Sequence, residues 1–507
     1  MFTLRPYQQD AVRCIEAGWA EARRQLAVLP TGAGKTVIFS ALAQRHQPRR
    51  TLILAHREEL IEQAAAKLRA STGIQAEVEK AERRASMGAP VVVASVQTLM
   101  QEKRRARWNP VHFDLVVCDE AHHSVSASWQ TVMKHFDGHA KVLGVSATPD
   151  RSDKKKLGDY YERLAYECRL VDLIRDGYLC PITLRAVPLE IDIRGVRSVA
   201  GDFDAEQLGD ALEPYLASVA KAVKQYASGR RTLAFLPLIA TSRKFVDACR
   251  AAGLRAEHVD GYDFERASKL ATFEGFDFDV LSNAMLLTEG YDDPGIDCIV
   301  MLRPTKSRAL YAQAIGRGTR THPLKDNLLI LDFLWLHERH SLAKPASLIA
   351  GTQEEAEAMT KIAEESGGSE DQDLLDLQGS AISEREESLR KKLVEQAGKR
   401  GKFVSADEWA AQHDRLSIVD YEPTFQWEEK PVSEKQARVL RRAGIDVGTV
   451  RGAGHASQII GVVLGSIAHQ ACTPAQRTLL QRLNHPSPDT ATVGEFRSFM
   501  GRMKKAA

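Results

Sequence analysis

The sequence has no closely spaced cysteines. Its seven, at 14, 118, 168, 180, 249, 298 and 472, never form a CxxC pair. Zinc knuckles and iron–sulfur clusters need close-set thiolates, so both are disfavoured. An odd, scattered set suits a reducing compartment. Long apolar runs are also missing: IIGVVLGSIA, from Ile459, is about half the ~20 residues a membrane-spanning helix needs. The N-terminal MFTLRPYQQD lacks the basic-then-apolar pattern of a secretory signal. These absences predict a cytoplasmic protein with no membrane partner. Nor is there a charge excess, with 69 Lys and Arg against 67 Asp and Glu. The balance hides an asymmetry. Residues 351–430 hold 20 acidic against 10 basic residues, whereas 431–507 hold 11 basic against 4 acidic.

What is present over 507 residues, 44% of them hydrophobic, is room for three or four domains. Two blocks alternate short β-branched runs with longer amphipathic ones, the pattern of parallel sheets flanked by helices. In the first block the expected strands are QLAVL (25–29), TLILA (51–55), PVVVAS (90–95), FDLVVC (113–118) and KVLGVSA (141–147). In the second they are ITLRAVPL (182–189), RTLAFL (231–236), FDVLSN (278–283), DCIVML (297–302) and NLLILDF (327–333). The predicted fold class is therefore α/β, with two similar domains over 1–168 and 169–344. An acidic linker with an exposed helix capped by Ser383 is expected over 345–430. A basic helical domain is expected over 431–507, built on a 40-residue repeat that aligns SEKQARVLRRAG with TPAQRTLLQRLN.

The chemistry starts at PTGAGKT, residues 30–36, directly after an apolar run. Gly32 and Gly34 let backbone N–H groups face phosphates at the start of a helix, with Thr31 and Ala33 completing the loop. Lys35 would reach the β- and γ-phosphates of ATP, and the Thr36 hydroxyl would ligand Mg²⁺. Leu29 stands where a stricter phosphate loop has glycine, which disfavours a GTPase or small kinase. The strand-end pair in VVCDEAHH puts Asp119 where it can hold Mg²⁺ and Glu120 where it can polarise the attacking water. His122 follows as a candidate γ-phosphate sensor. YAQAIGRGTR reads as a helix, and Gln313, Arg317 and Arg320, at intervals of four and three, are expected on one of its faces. Arginines reaching from one domain into a nucleotide site on the other would make a motor.

In this order the motifs resemble superfamily 2 helicases, over roughly 1–340. RPYQ is similar to the family's adenine-reading motif, which implies base contacts from Arg5 and Gln8. PTGAGKT, DEAH and SATP (146–149) resemble motifs I, II and III. LAFLP, LLTEGYDDP and QAIGRGTR resemble IV, V and VI, implying nucleotide contacts from Gly290 and Asp292. The resemblance implies two tandem RecA-like domains. It assigns Ser146 and Thr148 to coupling, and Arg57, Ser95, Gln97, Thr98 and Thr288 to the nucleic-acid strand. Within the superfamily the best likeness is to the RadD, XPB and restriction-motor group, which implies DNA, single-stranded or forked, and 3′→5′ movement. DEAD-box RNA helicases carry PTREL where AHREEL stands here, and a histidine where Gln313 stands. The tail is similar to those of some bacterial and phage-borne helicases.

Two other readings stay open: an ATP-switched nucleic-acid clamp or annealing factor, and an RNA helicase. For the tail, a DNA-gripping domain competes with one that docks a protein partner. A nuclease built on Asp420, Glu428 and Lys430 is disfavoured by their loose spacing.

Overall fold

Seven parallel strands make the first sheet: β1 (Arg24–Val28), β2 (Thr51–Ala55), β3 (Glu77–Glu79), β4 (Val91–Ser95), β5 (Leu115–Asp119), β6 (Lys141–Ser146) and β7 (Arg163–Glu167), in spatial order β3-β4-β2-β5-β6-β1-β7. Strands β2, β4 and β5 are buried at every residue, as expected where helices cover both faces. The computed structural model describes residues 3–56, 58–147, 157–199, 202–288, 291–336, 342–350, 353–365, 371–383, 405–412, 418, 421, 423, 427–468, 492 and 495. Arg57, Thr148, Gly290 and the second copy of the repeat lie outside these residues.

The second sheet runs β12-β13-β11-β14-β15-β8-β16. Its members are β8 (Ile182–Asp192), β11 (Thr232–Phe235), β12 (Ala256–Val259), β13 (Val280–Asn283), β14 (Cys298–Met301), β15 (Leu328–Leu336) and β16 (Gln372–Asp373). Strands β9 (Ser198–Val199) and β10 (Asp202–Phe203) form a separate two-stranded pair. All pairings in the seven-stranded sheet are parallel except β16 on β8.

Register explains why distant motifs meet. Strand β6 lies between β1 and β5, pairing Val28 with Ser146 and Asp119 with Val145. The phosphate loop, the Asp-Glu pair and Ser146 therefore leave the sheet side by side at its carboxyl edge, where open α/β sheets bind ligands.

The acidic segment departs from expectation. The chain forms two compact units, 1–385 and 386–507, so the first part of the expected linker belongs to the first unit. Helix Gln353–Glu365 buries Met359 and Ala363, and the helix over 374–383 buries Leu374, Leu377 and Ala381 in the same core. The spacings i, i+4 and i, i+3, i+7 each make one apolar stripe. Glu355 shares the first of these faces, buried and accepting from the Gln378 amide at 2.8 Å, while Glu357 and Asp376 are exposed. Ser383 is not an N-cap: it sits inside the second helix, its hydroxyl donating to the Gly379 carbonyl.

Unit 386–507 has its own small core. Trp409, Ile418, Leu440, Ile445, Ala456 and Ile459 pack together, and Tyr421 stacks on the His455 ring at 5.0 Å. No helix among the described residues is long and apolar enough to cross a membrane.

Candidate active site

The phosphate loop has the backbone that only glycine adopts freely. Gly32 and Gly34 have φ of 89° and 76°, and Gly34 caps helix Lys35–Arg45, so Lys35 and Thr36 open that helix. The N-terminal helix Pro6–Gly18 braces the loop from below. Tyr7 donates its hydroxyl to the Ala33 carbonyl at 2.8 Å, and the Gln8 amide donates to the same oxygen at 3.2 Å. The Gln8 carbonyl accepts from the Arg5 backbone N–H, and Arg5 reaches the Tyr178 carbonyl and lies over its ring. Arg5 and Gln8 are thus beside the loop, engaged with protein atoms. Tyr178, which also packs on Tyr7 with ring centroids 4.9 Å apart, carries no motif and was invisible in the sequence.

Asp119 and Glu120 are both buried at the end of β5. Burial first, and then the neighbouring Glu120 charge, push the Asp119 carboxyl up to about 7. A cation there would restore its charged form. Glu120 has φ of 52°, a left-handed conformation that costs a non-glycine residue on the order of 1 kcal/mol. Such strain is characteristic of functional sites. It aims Oε1 to 3.9 Å from Lys35 Nζ and Oε2 to 3.5 Å from His122 Nδ1. The same His122 nitrogen stands 3.3 Å from the Ser146 hydroxyl, which brings the candidate γ-phosphate sensor to a candidate coupling residue. Glu120 Oε2, Thr31 Oγ1 and Gln313 Nε2 are buried and make no hydrogen bond among the described residues. Buried polar atoms of this kind call for a partner, and a triphosphate with its divalent cation fits the set around Lys35 and Asp119.

The second lobe meets this loop directly. Helix Arg308–Ile315 stops at Gly316, so Arg317 and Arg320 occupy a turn, not the helical face their spacing suggested. Two glycines, 316 and 318, explain the break. A Cβ on Gly316 would lie 2.4 Å from Thr31 Cβ, and one on Gly32 would lie 3.0 Å from the Thr319 hydroxyl. The arginine-bearing turn therefore rests on the phosphate loop. Lys325, buried, shapes the turn by donating to the carbonyls of Gly318, Arg320 and Ile296.

The two arginines differ. Arg317 is buried and spends Nε and Nη1 on the carbonyls of Thr288 (2.9 Å) and Tyr291 (2.8 Å), which corrects the picture of both reaching across. Arg320 lies against Gly32 and is ion-paired with Asp292; burial lowers its guanidinium to about 10. Asp292 is also held at 2.6 Å by Lys67, from helix Glu58–Thr72 of the first lobe. Lys67 is lowered to about 8 by burial and then by Arg320 and Arg317. Nothing in the motif pattern pointed to Lys67, because only the closure of the two lobes places it there.

The strand-contact candidates mostly do not face solvent. Ser95 and Thr98 are buried, the first capping helix Val96–Met100 through the Thr98 N–H, the second accepting from the Ala81 N–H. Thr288 is buried with its hydroxyl on the Met285 carbonyl. Their hydroxyls are used to hold loops. Gln97 is exposed and donates to the His56 carbonyl at 2.9 Å.

Because Gly316 touches Thr31, a single methyl tests closure. Gly316→Ala is expected to hold the lobes apart and lower ATP turnover by about 100-fold, the cost of a misplacement near 1 Å. The same methyl would lie 2.8 Å from the Ala312 carbonyl of its own helix, so a modest drop in melting temperature is expected alongside, with the loss of turnover the larger effect. Steady-state ATPase and a melting curve check both.

Comparison with known proteins agrees with this architecture. Residues 1–151 match the family described as "Type III restriction enzyme, res subunit", and residues 215–322 match "Helicase conserved C-terminal domain". A Saccharomyces cerevisiae protein named as a candidate ATP-dependent helicase, IRC3, is 34% identical over 65% of this chain and 51% of its own. A Schizosaccharomyces pombe protein, named as a candidate mitochondrial ATP-dependent helicase, is 34% identical over 70% and 61%. The chain thus spans between half and two thirds of these relatives' lengths. Among solved structures, a fragment of a candidate HsdR subunit of a type I restriction enzyme from Vibrio vulnificus has a TM-score of 0.52 at 22% identity. It covers 66% of this chain and 64% of its own. The Type ISP restriction-modification enzyme LlaBIII, solved bound to DNA, has a TM-score of 0.54 at 16% identity, covering 98% and 43%. At these identities the two structures speak for the fold alone. The chain thus carries, in order, a domain of the restriction-enzyme res-subunit family over 1–151 and a helicase conserved C-terminal domain over 215–322, the pairing found in an ATP-hydrolysing helicase.

Proposed function

We propose that this protein is an ATP-driven motor that moves along, or unwinds, DNA. The observation that carries the reading is the contact of the second lobe's arginine turn with the first lobe's phosphate loop, Gly316 on Thr31 and Arg320 beside Gly32. A nucleotide held by one lobe and sensed by the other makes hydrolysis a change in lobe spacing.

In this reading the backbone of 32–34 and Lys35 hold the phosphates, and Thr36 and Asp119 hold Mg²⁺. When bound, the cation neutralises phosphate charge. Glu120 accepts the proton of the attacking water, and His122 passes the state of Glu120 to Ser146 and the loop beyond it. Arg320 leaves Asp292 to meet charge on the transferring phosphoryl group, while Arg317 keeps the Thr288–Tyr291 loop in place.

DNA as the track is supported by the likeness to restriction motors, one of them solved on DNA, and by AHREEL and Gln313 in place of the RNA-helicase residues. The tail's likeness to bacterial and phage-borne helicases suggests such an origin, but the two relatives at 34% identity are yeast proteins, one of them named mitochondrial, so that origin is not supported.

The test is an ATPase titration with single-stranded, duplex and forked DNA and with RNA of equal length, paired with a labelled fork. Turnover stimulated at least tenfold by DNA, more than by RNA, together with strand displacement or force on a tethered duplex, is expected. Tight binding and stimulation with neither displacement nor movement would favour the clamp. Turnover indifferent to nucleic acid would end the motor reading.

A further inference from the structure

Helix Glu434–Arg442 in the C-terminal unit has two unlike faces. A capping box fixes its start: the Ser433 hydroxyl accepts from the Gln436 N–H, and the Gln436 side chain accepts from the Ser433 N–H. Gln436 also donates to the Ala453 carbonyl at 2.9 Å and reaches the Ser457 hydroxyl at 3.0 Å, tying this helix to Ala453–Ala468. Ala437 and Leu440 are buried, the latter in the unit's core beside Ile445 and Ile459. Rotation of the helix is thereby settled, and the residues on its other side are held outward.

Those residues are Lys435, Arg438, Arg441 and Arg442, all exposed. None forms an ion pair among the described residues. Elsewhere several exposed arginines, among them Arg13, Arg45, Arg83, Arg194, Arg250 and Arg255, each hold a carboxylate. Here, instead, like charges stand at i, i+3 and i, i+4, an arrangement that destabilises a helix. Positions 435, 438 and 442 run along one stripe. At 1.5 Å per residue it is about 10 Å long. That is the axial length of about three steps of one nucleic-acid strand at 3.4 Å each.

We infer that this face is a second nucleic-acid site, gripping the phosphodiester backbone without reading bases and independently of ATP. It rests on the motor reading above for its purpose: a grip outside the lobes keeps the protein on its track while they open. The stripe presents guanidinium and ammonium groups, which bind phosphate oxygens and release condensed counterions.

The experiment uses the full chain without nucleotide and a 30-base-pair duplex of mixed sequence, with affinity measured across salt concentrations. Changing Lys435, Arg438, Arg441 and Arg442 together to Gln is expected to reduce the slope of log affinity against log salt by about 3–4, near 0.9 per lost contact. Changing the three arginines to Lys should retain most of the slope, which separates charge from folding. ATPase without DNA should be unchanged in both variants. Equal slopes for the wild type and the Gln variant would overturn the site, as would a slope lost equally in the Lys variant. The face would then be a solvated surface or a protein-docking one. If instead the slope falls as expected but DNA never stimulates the wild-type ATPase, the site stands and the motor reading fails.

Discussion

Replacing Glu120 by glutamine is expected to lower ATP turnover by about 10²–10⁴-fold, the usual contribution of a positioned general base. Binding of ATP should persist. Glutamine keeps the volume and one carbonyl oxygen of the buried side chain, so the left-handed turn at φ 52° and the contact with Lys35 stay sterically possible. What disappears is the ability to take a proton from water. The change also removes a negative charge beside Asp119, whose carboxyl is raised by burial and by that neighbour, so the variant should be no less stable than the wild type. Single-turnover hydrolysis and binding of a fluorescent ATP analogue separate the two effects. Lys35→Ala is the contrast, because it removes the cation that faces the phosphates and should weaken binding itself. Near-normal turnover in the glutamine variant would mean that another group activates the water.

The second large effect lies across the lobe boundary. Arg320→Ala is expected to reduce turnover by about 10³–10⁵-fold, the range for an arginine that stabilises a transferring phosphoryl group. Arg320 is the arginine that lies against the phosphate loop, and its partner Asp292 is already shared with Lys67, so it can be released without leaving that carboxylate alone. Lysine should not rescue it, since a point charge lacks the planar fork. Arg317→Ala should behave differently. It strips two charge-assisted hydrogen bonds from the Thr288 and Tyr291 carbonyls, each worth about 1.5–3 kcal/mol, and should show first as a lower melting temperature. Kinetics and melting of the two alanine variants decide the assignment. A fully active Arg320→Ala with an inactive but stable Arg317→Ala would reverse the roles.

Much of this was readable from residue order alone. The two sheets follow from β-branched runs at regular intervals, and the phosphate loop from glycines ahead of Lys-Thr, because strand burial and phosphate binding are local demands on residue type. Strands β3, β7 and β12 escaped notice because Glu77–Glu79, Arg163–Glu167 and Ala256–Val259 are short or polar and become strands only through pairing with a neighbour. The acidic stretch after 350 looked like a linker by charge. Its sparse apolar residues matter only once a core stands opposite them.

Sequence by itself determined the class of fold and the glycine-rich loop ahead of Lys35, and it singled out Asp119 and Glu120 as the candidate carboxylates, since each depends on side-chain chemistry at fixed local spacing. Tertiary structure alone decided which arginine faces that loop, that Lys67 and Tyr178 belong to the site, and that three of the expected strand contacts point inward. Those outcomes depend on where a helix breaks and how two lobes close. Such facts are set by packing between residues far apart in the chain, and no local pattern encodes them.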